Sequence, residues 1–169
     1  QRDAKLSNDT VLTRSKAKPP VIDGKLEDPF WKGLPEYKFR LANAPLPPRF
    51  KTEFKMGFRD DGKLYIGVHA SDPDILSAKL VCKDRDTAVY DDDSMEFFFR
   101  TDAMPEKALR NITINQNGVI LDYEKFGKIN RKWNTSGTVK VFRGKNFYSI
   151  EMAIPLKEIG IDPDSVNPI

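Results

Sequence analysis

The 169-residue sequence contains a single cysteine, Cys82, and a single histidine, His69. One cysteine excludes a disulfide within the chain and any zinc or iron–sulfur site that needs several cysteines. One histidine excludes every site that needs two histidines from this chain. Any chemistry must therefore come mainly from carboxylate, amide and aromatic side chains.

The sequence also lacks long apolar runs and blocks of one charge sign. No run approaches the roughly 18 residues that a membrane-spanning helix needs, so we expect no membrane span. The 28 basic and 25 acidic residues give a net charge of +3, and they are interspersed along the chain. Interspersed charge argues against a dedicated nucleic-acid surface.

Long amphipathic helices are missing as well, and apolar residues instead recur at every second position. This alternation runs through segments 50–58, 64–70, 95–99, 111–114, 139–141 and 148–154. Turn signals separate neighbouring segments at Asp60-Asp61-Gly62 and at Asn117-Gly118. Alternation buries one face of each strand and leaves the other in water. The sequence predicts an all-β fold of about seven to nine strands, an antiparallel β-sandwich of immunoglobulin-like or jelly-roll-like architecture with short helical turns.

Composition and length predict one domain. Hydrophobic residues make up 39% of the chain and aromatic residues 11%, which is enough for a buried core. We expect residues 1–9 to form a flexible tail and residues 10–169 a single β-sandwich. The sequence begins at Gln1 without an initiator methionine or apolar leader, and it ends in a loop-like run. We therefore expect a processed chain, secreted or periplasmic, whose sandwich is incomplete at the C-terminus.

Five segments, in order, resemble the family 9 carbohydrate-binding module superfamily, which has a DOMON-like β-sandwich. They are residues 19–31 (PPVIDGKLEDPFW), 63–68 (KLYIGV) with Asp72-Pro73, 92–98 (DDSMEFF), Asn115 with Gly118 and Asp122, and 148–155 (YSIEMAIP). Each segment alone is a weak signal. Five in the same order are fairly specific.

The resemblance implies a β-sandwich that binds sugars without catalysis, often contains structural calcium and is secreted. Sugar-binding members of the family clamp a terminal sugar between two aromatic rings. Tyr90 stands at the position of the first ring, and the second would lie beyond Ile169. The resemblance also implies a sugar contact for Glu96 and extends the site to Asn111 and Asn115.

Alternation places these polar side chains on a face opposite to the apolar one. Asn111 and Asn115 point away from the apolar side chains of their strand, Glu96 does the same on its strand, and Tyr90 precedes Glu96 by six residues. A sugar site needs an aromatic surface for C–H faces and polar groups for hydroxyls. Tyr90, Glu96, Asn111 and Asn115 are therefore the candidate sugar-binding residues. The same pattern also fits a solvated polar face.

Residues 72–93 form a long acidic connection, which includes Asp72, Asp74, Asp92 and Asp93. Calcium takes roughly six to eight oxygen ligands with flexible geometry. With the resemblance, these four aspartates are the candidate calcium ligands. Two other interpretations stay open. One is an ordinary loop whose aspartates bond backbone amides, and the other is a glycosidase with paired carboxylates.

Met56 and His69 lie on adjacent predicted strands, and related DOMON-type sandwiches bind haem through methionine and histidine. Alternation places Met56 inward and His69 outward. Joint ligation of a haem would therefore need a bulge or a change of register.

The sequence thus predicts a non-catalytic domain that binds a poly- or oligosaccharide and holds an attached or partner polysaccharide-degrading enzyme near it. Two alternatives remain. One is a calcium-stabilised interaction or scaffold domain without sugar binding, and the other is an accessory part of a glycoside hydrolase.

Overall fold

The computed structural model describes residues 12–39, 49–102 and 104–164. Its strands are β1 (Thr13–Arg14), β2 (Glu36–Lys38), β3 (Thr52–Phe58), β4 (Lys63–Ser71), β5 (Ser94–Phe99), β6 (Leu109–Asn115), β7 (Ile120–Phe126), β8 (Lys128–Asn130), β9 (Thr138–Arg143) and β10 (Phe147–Pro155). The helical segments are α1 (Pro29–Lys32) and the 3-10 turns Ile75–Ser77, Val89–Asp91 and Leu156–Ile159. Within these ranges, no helix has the length and apolar character to cross a membrane.

The described strands form two sheets. The larger has the order β1-β3-β4-β10-β9, with β2 on the same edge of β3 as β1, and the smaller has the order β5-β6-β7-β8. Described strand pairs are antiparallel except β1 with β3. This arrangement confirms the predicted antiparallel β-sandwich with short helical turns.

The core lies between the two sheets and is built from the inward side chains of alternating strands. The predicted hairpin of segments 50–58 and 64–70 is present as β3 and β4. Buried residues of this core include Leu64, Ile66, Val68, Ile112, Ile114, Ile150, Met152 and Ile154. The period-two pattern therefore identified the inner faces of both sheets.

A second apolar cluster covers the outer face of the larger sheet. Phe30 and Trp31, on α1, are only 1% and 2% exposed, and they pack with Tyr65 of β4 and Ala153 of β10. Pro29 occupies the first turn of α1, where a missing N–H costs nothing. Phe30 and Trp31 therefore anchor the entry of the chain to the outer face of this sheet.

A buried carboxylate, that of Glu151 on β10, ties this entry segment to the sheet. Glu151 Oε2 accepts hydrogen bonds from the amides of Asp23 and Gly24, each at 2.8 Å. Glu151 Oε1 accepts one from Trp31 Nε1 at 2.7 Å and one from the Leu26 amide at 3.2 Å. Glu151 has no exposed surface. The first and last of the five sequence motifs are thus parts of one contact.

Gly24 is required where the entry segment crosses β9. Its φ is +93°, and a Cβ at this position would lie 2.6 Å from the Phe142 nitrogen and 2.7 Å from the Val141 carbonyl carbon. A backbone clash cannot be relieved by moving a side chain. The glycine of the Ile-Asp-Gly motif therefore lets the backbone reach Glu151.

Candidate functional site

An open cleft of about 630 Å³ lies at one end of the sandwich, where β3, β5 and β10 begin and β4 ends. The larger sheet contributes Thr52, Ala70 and Tyr148 to its lining, β5 contributes Ser94 and Glu96, and part of the 72–93 connection closes one side. The volume is typical of sites that bind small molecules.

Tyr90 lies in this lining, on the 3-10 turn Val89–Asp91. Its neighbour Val89 has no exposed surface, whereas Tyr90 is 49% exposed. The turn packs against β5, β6 and β7. Val89 therefore anchors the turn, and the Tyr90 ring remains available to a ligand.

Glu96 lines the same cleft and is exposed. It pairs with Thr113 across β5 and β6, so its side chain is on the outer face of the smaller sheet. Because β5 is an edge strand, this side chain reaches the cleft opening. The structure thus brings Tyr90 and Glu96 together in the lining of one cleft.

Asn111 and Asn115 have the predicted orientation but not the predicted exposure. They pair with Phe98 and Ser94, so they share the outer face with Glu96. Both are 0% exposed, and the cleft lining includes neither. Part of the 72–93 connection packs over β6. The prediction that Asn111 and Asn115 face the sugar is therefore wrong in this structure, because both are covered by chain.

Asn115 instead holds two pieces of backbone in place. Its Oδ1 accepts hydrogen bonds from the amides of Asn117 and Val119, at 3.0 and 2.9 Å, which closes the turn between β6 and β7. Its Nδ2 donates to Asp92 Oδ2 at 2.9 Å. Asp92 also accepts from the amides of Val81 and Cys82. The pair of Asp92 and Asn115 therefore fixes the connection that carries Tyr90.

The four candidate calcium ligands all line the cleft, but the carboxylates of Asp72, Asp92 and Asp93 accept hydrogen bonds from the protein itself. Asp72 accepts from the Asp74 amide and from Gln116 Nε2, and Asp93 accepts from the Lys79 amide. Asp92 accepts hydrogen bonds from Asn115 and from the amides of Val81 and Cys82. Across residues 12–39, 49–102 and 104–164, no three carboxylate, histidine or cysteine side chains converge as metal ligands would. These aspartates, as arranged, do not fit a calcium site.

Calcium and chelator should accordingly leave the melting temperature unchanged. We expect the midpoint to shift by less than about 1 °C between excess EDTA and excess calcium chloride, because a ligand stabilises only a state that binds it. Magnesium chloride at equal ionic strength is the control in calorimetry. A rise of several degrees with calcium alone would show that the aspartates rearrange around the ion.

His69 and Met56 lie on opposite faces of the larger sheet. Met56 pairs with Ile66 of the core, whereas His69 pairs with Glu53 and stacks on Phe147 with ring centroids 4.8 Å apart. The pairing of β3 with β4 continues without a bulge or a register shift from the Glu53–His69 pair to the Met56–Ile66 pair. The two side chains cannot ligate one haem, as the alternation predicted.

The cleft lining also includes polar and aromatic residues that the sequence did not predict, among them Arg49, Gln116 and Tyr148. Gln116 follows the last residue of β6, and Tyr148 is an inward residue near the start of β10. Burial, with the nearby carboxylates of Asp72 and Asp93, raises the pKa of Tyr148 to about 12. The sequence signal for Tyr148 is its inward orientation at the end of a strand. A side chain at such a position can line a cleft at the end of the sandwich instead of the core.

Solved structures share this fold. A family 9 carbohydrate-binding module from Caldicellulosiruptor kristjanssonii, in complex with cellotriose, has a TM-score of 0.58 and 20% identity over 85% of this chain and 66% of that one. The module in complex with glucose has a TM-score of 0.58 and 21% identity over 94% and 72%. A protein from Bacteroides uniformis has a TM-score of 0.61 and 14% identity over 88% and 72%. No curated protein matches the chain.

The sequence family described as "Carbohydrate family 9 binding domain-like" matches residues 22–167. This match covers most of the chain, and it includes the segment tied by Glu151, the turn that carries Tyr90 and strand β10. The chain therefore belongs to the family 9 carbohydrate-binding domains, which bind carbohydrate without catalysing its breakdown.

Proposed function

We propose that the cleft binds a poly- or oligosaccharide, with the Tyr90 ring as a stacking surface and the Glu96 carboxylate as a hydrogen-bond acceptor. The observation that carries this proposal is that an exposed aromatic ring and an exposed carboxylate line one cleft of about 630 Å³. A ring can cover the C–H face of a sugar, and a carboxylate can accept from two hydroxyls.

The fold relatives support a sugar as the ligand. The module from Caldicellulosiruptor kristjanssonii is described in complex with cellotriose and with glucose. A glucan is therefore the first ligand to test. Thr52, Ser94 and Tyr148 add hydroxyl groups that can donate or accept at the same cleft.

The biological role we propose is targeting. A domain that binds a polymer without cleaving it raises the local concentration of an attached or partner polysaccharide-degrading enzyme. We propose that the protein performs this role in the extracellular space or the periplasm.

Substitution of Tyr90 tests the proposal. Tyr90→Ala should weaken binding of cellotetraose by about 10–100-fold, because a central aromatic contact contributes a large share of binding energy. Glu96→Ala should weaken it by about tenfold or more through loss of charge-assisted hydrogen bonds. Isothermal titration calorimetry, or retardation in a glucan-containing gel, measures both effects.

Phe126→Ala is the matched control, since Phe126 is 45% exposed and lies outside the cleft lining. It should leave the affinity unchanged. Equal affinities for the wild type and Tyr90→Ala would contradict the proposed site. Absence of binding to every glycan of a broad array would instead favour an interaction or scaffold domain.

A further inference from the structure

The cleft carries far more negative than positive charge. Among the described residues, the carboxylates that line it are those of Asp72, Asp74, Asp92, Asp93 and Glu96, and Arg49 is the cation of that lining. Asp74, Asp93 and Glu96 are exposed. Arg49 lies over the Phe50 ring, with its guanidinium 4.9 Å from the ring centroid. A ligand in the cleft therefore experiences a negative potential.

A buried acceptor in the same cleft independently indicates a ligand with hydrogen-bond donors. Gln116 is only 4% exposed and lines the cleft. Its Nε2 donates to Asp72 Oδ2 at 2.8 Å, which fixes the orientation of the amide because a carboxylate only accepts. Its Oε1 has no hydrogen-bond partner among the described residues. Buried polar atoms are rarely left unsatisfied, so this oxygen calls for a donor.

Resting on the proposed function, we propose that the cleft selects its sugar by charge: it binds an amino sugar with a free ammonium group more tightly than the neutral sugar and excludes uronic acids. An ammonium group supplies three donors and no acceptor, which complements the Gln116 oxygen and the surrounding carboxylates. The carboxylate of a uronic acid would instead lie among like charges.

Three β-1,4-linked tetramers separate charge from shape. They are built from glucose, glucosamine and glucuronic acid, and calorimetry is run at a slightly acidic pH that keeps the amines charged and the carboxylates ionised. We expect the glucosamine tetramer to bind at least about tenfold more tightly than the glucose tetramer at low salt. The difference should shrink in high salt, and the glucuronate tetramer should bind most weakly.

Asp74→Asn tests whether the negative charge of the cleft causes the preference for the glucosamine tetramer over the glucose tetramer. The Asp74 carboxylate accepts no hydrogen bond within the described residues, so the substitution removes charge without removing a contact that holds the fold. It should reduce the preference for the glucosamine tetramer about threefold. Asp84→Asn, in the same connection but outside the cleft lining, should leave the preference unchanged.

The outcomes separate this inference from the proposed function. Equal binding of the glucose and glucosamine tetramers, both lost in Tyr90→Ala, would overturn selection by charge and leave the sugar site intact. Tight binding of the glucuronate tetramer would also overturn it. Failure of all three tetramers to bind would overturn selection by charge, whereas only the absence of binding across the broad glycan array would overturn the proposed function. Heat from calcium chloride alone, with loss of the amine preference, would show that the carboxylates serve a metal instead.

Discussion

Glu151→Ala should lower the free energy of unfolding by about 3–5 kcal/mol, a large fraction of the stability of a single domain. The wild-type carboxylate accepts four N–H groups, one from the Trp31 indole and three from the backbone of residues 23–26. Alanine leaves these donors without acceptors beneath a segment that excludes water. Urea denaturation followed by tryptophan fluorescence measures the loss.

Two further variants separate the effect of the Glu151 carboxylate from the effects of side-chain shape and of losing any glutamate in this region. Glu151→Gln preserves the shape of the side chain but turns an amide NH₂ group toward N–H donors. Its free energy of unfolding should therefore lie between those of the wild type and Glu151→Ala. Glu27→Ala removes an exposed glutamate of the same segment and should change the stability by less than about 0.5 kcal/mol. A loss below about 1 kcal/mol for Glu151→Ala would contradict its role as the contact that holds the entry segment.

The strands were predictable because their signal is local. Alternation in β3, β4 and β10 reflects one buried face, and that face is visible in a window of a few residues. The parallel pairing of β1 with β3 was not predictable, because it depends on where a two-residue strand lies against a distant edge. The roles of Tyr65 and Ala153 under α1 were hidden for a similar reason, since both lie on the face that alternation assigns to water.

The site was predictable only in part. Tyr90 and Glu96 reach one cleft, as the motif and the alternation indicated. Asn111 and Asn115 also have the predicted orientation, yet both are buried, and Asn115 lies under a connection whose path no periodicity describes. A sequence shows which face of a strand is polar, but it does not show whether a loop or water covers that face.

The acidic residues of the motifs were the hardest to interpret. Glu151, Asp92 and Asp122 are buried, and each accepts hydrogen bonds from distant parts of the chain. The Asp122 carboxyl accepts from Arg85 at 2.6 Å and from the Thr135 amide at 2.7 Å. Spacing alone cannot separate a carboxylate that binds a metal or a sugar from one that binds loop amides. In this fold such carboxylates hold loops onto the sandwich, and the loop held by Asp92 carries the Tyr90 ring.

Loss of the Asn115 side chain should therefore affect both stability and binding. Asn115→Ala should lower the free energy of unfolding by about 2–4 kcal/mol, because two backbone amides of a turn and the Asp92 carboxylate lose their partner. It should also weaken cellotetraose binding about threefold to tenfold, since Tyr90 is then held less firmly. Asn146→Ala, at an exposed asparagine whose side chain makes no hydrogen bond within the described residues, is the control and should change neither measurement.

The pH dependence of the stability of Asp92→Asn tests the hydrogen-bonded pair of Asp92 and Asn115 through its carboxylate. Burial raises the pKa of the Asp92 carboxyl, but hydrogen bonds from Asn115 and from the amides of Val81 and Cys82 outweigh it, so the pKa lies below the ordinary 3.8. A lowered pKa in the folded state stabilises the fold above pH 3.8, and this stabilisation is lost as the pH falls through the lowered value. Asp92→Asn should thus unfold at lower urea than the wild type at pH 7, and the difference should narrow steadily below pH 3.8. A difference that stays constant down to pH 2 would mean that the charge of Asp92 does not hold the Tyr90 loop.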